Sequence, residues 1–127
     1  PDDFKAPVML GATEFRALVD AEARTLTSAE QRDLGRVELE TADLPDLADL
    51  TAEEPPLAPT ILGLFRGAPL GEAPESEPRA IVIYRKNLAR AVGSRSELAE
   101  QVRTTLLHEL GHLRGEDDDA LRAQGLE

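Results

Sequence analysis

The chain has 127 residues, 41% of them hydrophobic and 31% charged, with one Tyr, three Phe, no Trp and no Cys, so it is expected to bury one aliphatic core as a single domain spanning residues 1–127. Its formal charge of −11 argues against nucleic-acid and membrane-surface partners, because phosphates and anionic lipids would repel it and no long Lys/Arg block offsets this. Without cysteine there are no disulfides, thiolate ligands or Cys nucleophile, and any metal must be held by His, Asp or Glu.

In chain order, Phe15, Leu18, Val19 and Ala23 recur at three and four residues, which predicts a helix from Thr13 to about Leu26 with Thr13 as its N-cap. A short helix is expected over Ser28–Leu34, stopped by Gly35, followed by a strand in which Val37 and Leu39 alternate with Arg36, Glu38 and Glu40. The segment Leu44–Pro59, rich in proline and acids, predicts a solvated loop. Thr60–Phe65 and Ala80–Tyr84 read as two further strands, separated by a loop over Gly67–Pro78.

Ser94 and Glu97 form the S-x-x-E pattern of a capping box and open a long helix. Along it Leu98, Val102, Leu106, Leu110 and Leu113 make one apolar stripe, while Gln101, Thr104, His108 and His112 fall on the neighbouring arc. The histidines are thus expected to face out of the core. Gly115 is placed to end the helix with a positive φ, and Asp117–Gln124 to form a last short helix stopped by Gly125. Together these elements predict an α+β fold, a small mixed sheet of about three strands packed on the long helix.

No apolar run approaches the roughly 20 residues that span a bilayer, and no basic segment followed by an apolar stretch opens the chain, so a cytoplasmic location is expected.

The chemistry concentrates in LLHELGHLRGEDDD, where His108, Glu109 and His112 stand in the order H-E-x-x-H. Histidines four apart on a helix lie about one turn apart on one face, close enough for both imidazoles to reach one zinc ion. Glu109 is rotated by about 100° from His108, which suits a general base acting on water rather than a ligand. With no third His, the remaining protein ligand must be a carboxylate, and Gly115 can turn the chain so that Asp118 lies near the metal. One of Glu116, Asp117 or Asp119 as a fourth protein ligand would instead close the site into a structural one. Asp117 and Asp119 are alternatively candidates to cap the last helix.

The complete pattern, H-E-x-x-H-x-x-G-x-x-D, is similar to that of zinc peptidases in which Asp replaces the third His of the metzincin motif. From about Thr60 to Glu127 the chain resembles the small bacterial zincin-like metallopeptidase family, through ILGLFRGAPL, AIVIYRKNLAR and the close after DDDALRAQGLE besides the motif. The resemblance implies a compact zincin-like fold, a small sheet above an active-site helix with little below it. Many members of the family carry a second His where this chain has Leu113, a position outside the ligand pattern. The only methionine, Met9, lies far upstream of any metzincin Met-turn, and only 15 residues follow His112, too few for the later glutamate of a gluzincin.

The expected activity is therefore peptide-bond hydrolysis on a peptide or protein substrate, with Zn2+ held by His108, His112 and Asp118 and with Glu109 as base. The alternative is a non-catalytic zincin-like domain that binds metal or a protein partner, favoured by the short chain left to wall a substrate cleft. Tyr84, Arg85 and Asn87, at the end of the last predicted strand, are candidate donors to a developing oxyanion.

Overall fold

The structure, a computed structural model, describes residues 8–126. Its elements run α1 (Ala12–Ala23), α2 (Ser28–Leu34), β1 (Glu38–Ala42), α3 (Leu47–Thr51), β2 (Gly63–Arg66), β3 (Ala80–Tyr84), α4 (Arg85–Ala91), α5 (Arg95–Leu113) and α6 (Asp118–Ala123). The three strands form one mixed sheet in the order β1-β3-β2, with β1 parallel and β2 antiparallel to β3.

The centre of the sheet falls to β3 because its sequence, AIVIY, offers apolar side chains in both directions, and all five residues are buried. Successive side chains of a strand point to opposite faces. Ile81 and Ile83 accordingly join Phe15 and Val19 of α1 and the Leu98–Leu113 stripe of α5 in the main core. Val82 and Tyr84 look the other way, into a smaller cluster with Leu64 and, from the segment that covers that face, Leu57 and Ile61.

The predicted cap of the long helix forms, with the Ser94 hydroxyl accepting from the Glu97 N–H at 3.2 Å. Glu97 does not reach back to Ser94 itself, however; its carboxylate accepts from the N–H of Gly93. A full reciprocal capping box stands instead at α2, between Thr27 and Glu30.

Two helices depart from the sequence reading. The segment expected to be a loop over Leu44–Pro59 contains α3, whose Leu50 is buried, so one apolar anchor is enough to fold a short turn of helix between prolines. The residues after β3 do not trail off as a strand end but turn at once into α4, which buries Asn87 and Leu88. Smaller shifts move α1 one residue earlier at its start and end it at Ala23, move β1 to Glu38–Ala42 and shorten β2 to Gly63–Arg66.

The loop between β2 and β3 is built around a buried cation. Arg79, 4% exposed, donates through its guanidinium to the carbonyls of Ala68, Pro69, Ala73, Pro74, Glu75 and Glu77 at 2.6–3.5 Å. A guanidinium has five N–H groups and cannot be neutralised by deprotonation, so burying it demands such a cage. The loop is tied to the long helix by the Leu70 N–H, which donates to the carbonyl of Leu113 at 2.8 Å. It thereby places Pro69 beside Gly115.

Candidate metal centre

His108 and His112 lie on one side of the last two turns of α5, on the arc next to the apolar stripe, and both are half-buried. Their orientation is set by backbone. The Nδ1 of His108 lies 2.5 Å from the carbonyl oxygen of Leu126, and that of His112 lies 3.0 Å from the carbonyl oxygen of Glu116. A carbonyl only accepts, so each Nδ1 donates to it, and in the neutral ring that binds a metal Nε2 is then the free lone pair. The two Nε2 atoms face one another at 3.2 Å.

Asp118, the first residue of α6, brings Oδ1 to 3.3 Å from Nε2 of His112 and 3.6 Å from Nε2 of His108. It is carried there by a reversal at Gly115, where φ is +89°, a conformation that costs a residue with a side chain far more than glycine. Asp117 is the N-cap of α6, accepting from the Ala120 N–H at 2.8 Å, and Asp119 pairs with Arg122 at 3.0 Å. Glu116 is held by Arg114 and Gln124. Of the four acids at the turn, Asp118 is the one directed at the imidazoles.

With both rings neutral, two lone pairs and a carboxylate oxygen converge here, an arrangement that a cation among them would stabilise. Donors bound at about 2.0–2.1 Å in a tetrahedron lie about 3.3–3.4 Å apart, and the edges of this triangle are 3.2, 3.3 and 3.6 Å. The donor set of two imidazoles and one carboxylate, each ring held by a carbonyl on its far nitrogen, is one that zinc accepts. By these distances and donor types the residues fit the ion.

Glu109 points elsewhere. It is 5% exposed, its oxygen still within 4.8 Å of the imidazole nitrogens. His108, Glu109 and His112 make one compact group by that measure, but the shorter contacts run among His108, His112 and Asp118. Burial, together with the negative charge of Asp118, pushes the Glu109 carboxyl up to about 8, opposed by a hydrogen bond from the backbone of Phe65 in β2. A cation at the imidazoles would favour its ionised form.

A cavity of about 480 Å³ opens over these groups, lined by Gly63, Leu64 and Phe65 of β2, by Glu53 and Leu57 after α3, and by Pro69 of the Arg79-caged loop. The covering segment and that loop therefore supply walls of the cavity. Gly63 is required for the fit of strand to helix: a Cβ there would lie 2.6 Å from Cγ2 of Thr105 and 3.4 Å from Cγ of Glu109. Gly111, inside the motif, does the same for the last helix, since a Cβ there would clash with the side chain of Leu121. Sequence reasoning missed both, because a glycine inside an element announces close approach without naming its neighbour.

None of the three residues considered as oxyanion donors lines the cavity, and two of them are used otherwise. Arg85 pairs with Asp43 at 2.8 Å and donates to the Leu10 carbonyl, while Asn87 donates to the carbonyls of Pro59 and Ile61, fastening the covering segment. Tyr84 is 1% exposed and its hydroxyl has no partner among the described residues; burial pushes its pKa up to about 12.

No helix among the described residues is long and apolar enough to cross a membrane. Compared with known families, residues 34–126, well over half of the chain and all of the site, match the zincin-like metallopeptidase family. No curated protein matches.

Proposed function

The chain belongs to the zincin-like metallopeptidase family, and from that premise we propose that it is a zinc-dependent peptidase in which His108, His112 and Asp118 hold the ion and Glu109 is the general base. The observation that carries this reading is the triangle of two imidazole Nε2 atoms and one carboxylate oxygen, 3.2–3.6 Å on its edges, beside a buried carboxylate that lines an open cavity. Zinc bound there would supply Lewis acidity, lowering the pKa of a water and polarising a carbonyl.

The protein's own groups then divide the work. The Leu126 and Glu116 carbonyls hold the proton of each ring at Nδ1 and aim each Nε2. Asp118 contributes one negative charge, offsetting part of the ion's. Glu109, adjacent to the triangle but outside its shortest edges, takes the proton of the attacking water and delivers it to the departing amine. β2 is an edge strand, paired within the sheet with β3 alone, and its open side borders the cavity, so an extended peptide can lie along it as an added strand.

Glu116, Asp117 and Asp119 are each engaged with other partners, which favours three protein ligands and a position left open to water over a closed structural site. The purified protein should contain about one zinc per chain and cut members of a diverse peptide library, losing the activity to a chelator and regaining it with added zinc. A metal-replete protein that cuts none of them would overturn the catalytic reading and favour the non-catalytic metal-binding one.

A further inference from the structure

Arg79 does not line the cavity, and its hydrogen bonds go to backbone carbonyls of residues 68–77 rather than to any group around the metal triangle. The loop it gathers nevertheless leads to that triangle. Within the loop the Leu70 side chain packs against the main core, and the Leu70 N–H donates to the carbonyl of Leu113, the last residue of α5 and the one after His112.

An α-helix leaves its last carbonyls without intrahelical partners. In α5 the carbonyls of Leu110, Gly111 and His112 accept from the N–H groups of Arg114, Glu116 and Gly115, all in the reversal that follows the helix, whereas the Leu113 carbonyl accepts from the loop. The Leu70–Leu113 bond is thus the point at which the loop grips the start of the reversal. That reversal carries two parts of the metal centre, the Glu116 carbonyl that meets Nδ1 of His112 and the carboxylate of Asp118. A second contact runs beside the bond: Pro69, whose carbonyl belongs to the Arg79 cage, borders the cavity, and a Cβ at Gly115 would lie 4.0 Å from its own.

We propose that Arg79 is a positioning residue of the metal centre: by holding the loop in one shape it fixes the Leu70–Leu113 bond and, through it, the reversal that presents Asp118 and orients His112, so that zinc affinity is set in part from outside the ligand set. The inference rests on the metal site proposed above and adds a control on it that no ligand supplies. Arginine suits the task because its rigid fork of five N–H groups can meet carbonyls in several directions at once. Lysine keeps the charge but has three donors on a single nitrogen, too few for the six carbonyls of the cage. Groups that orient metal ligands typically change affinity by about 10–100-fold, and Arg79→Lys should weaken zinc by about 10-fold, the lower end of that range, because it acts through the loop and the reversal.

The test compares the zinc Kd, from competition with a chromophoric chelator, and the visible spectrum of the cobalt-loaded protein in the wild type, Arg79→Lys and Leu70→Pro, under conditions where each chain is folded. Leu70→Pro leaves Arg79 in place and removes the N–H that reaches Leu113, so it should weaken zinc by a similar factor, and both variants should alter the cobalt spectrum, which reports ligand geometry. The double variant should lose little more than either single one, since both break the same link. A merely structural Arg79 would lower the melting temperature and leave zinc Kd and cobalt spectrum at their wild-type values, as expected for Leu106→Ala; that outcome, or losses that multiply in the double variant, overturns the proposal and leaves the metal site standing. If Arg79→Lys does not fold, Leu70→Pro decides alone, an unchanged zinc Kd overturning the proposal and a roughly 10-fold loss supporting it. A wild type that binds no zinc would instead remove the metal-site reading, and the proposal with it.

Discussion

On its apolar face α5 presents Leu98, Val102, Leu106, Leu110 and Leu113, each at most 1% exposed and packed in one cluster with α1 and β3. On the neighbouring arc His108 and His112 each hang on one backbone carbonyl, from Leu126 and Glu116. The first face is redundant: many weak contacts share the load, so losing one residue costs stability but leaves the geometry standing. The second is singular, each bond having no deputy, so small displacements should cost metal affinity while barely touching the fold.

Three substitutions sharpen or break that contrast. Leu106→Ala, in the middle of the stripe, should cost about 2–5 kcal/mol in chemical denaturation yet leave the zinc affinity of the folded fraction near that of the wild type. A large drop in affinity would mean that the two faces are not separable. Asp118→Asn should do the opposite, weakening zinc by more than about 100-fold, beyond the 10–100-fold typical of groups that only orient a ligand, with little change in the stability of the metal-free protein. Asp117→Asn and Asp119→Asn serve as controls; an equal loss in all three would point to general electrostatics in place of a ligand. The smallest effect is expected at Gly125, whose φ of +78° lets the chain turn so that Leu126 meets His108. A β-branched residue strongly disfavours that conformation, so Gly125→Val should weaken zinc by about 10-fold, and unchanged affinity would release the tail from its orienting role.

The same contrast separates what the sequence made legible from what it hid. The stripe of α5, the helix over Ser28–Leu34 and the AIVIY strand all follow from local periodicity, and the structure bears them out. So does the positive φ at Gly115, because a glycine three residues past a predicted helical histidine has few other uses. Asp118 could be proposed because its partners are near in sequence. The carbonyl of Leu126 could not, since a backbone oxygen has no residue signature and reaches His108 across 18 positions. Arg79 carries no local signal of its role, and its cage of carbonyls exists only once the loop has folded around it. α3 and α4 were invisible for a related reason: each is short and depends on one or two tertiary anchors, Leu50 in one case and Asn87 with Leu88 in the other, too few to set a period.

Glu109 joins the two regions, buried like the apolar face and yet bordering the cavity over the metal triangle. The central claim is that it moves a proton and does not bind the ion. Glu109→Gln keeps the size of the side chain and its hydrogen-bonding reach while removing the base. Zinc content and peptide hydrolysis measured on the same preparation of that variant decide the question. The expected result is one zinc per chain, as in the wild type, with hydrolysis reduced by about 100-fold or more, the lower end of what a positioned base supplies. Hydrolysis at the wild-type rate would contradict the account, and loss of the zinc would place Glu109 among the ligands instead.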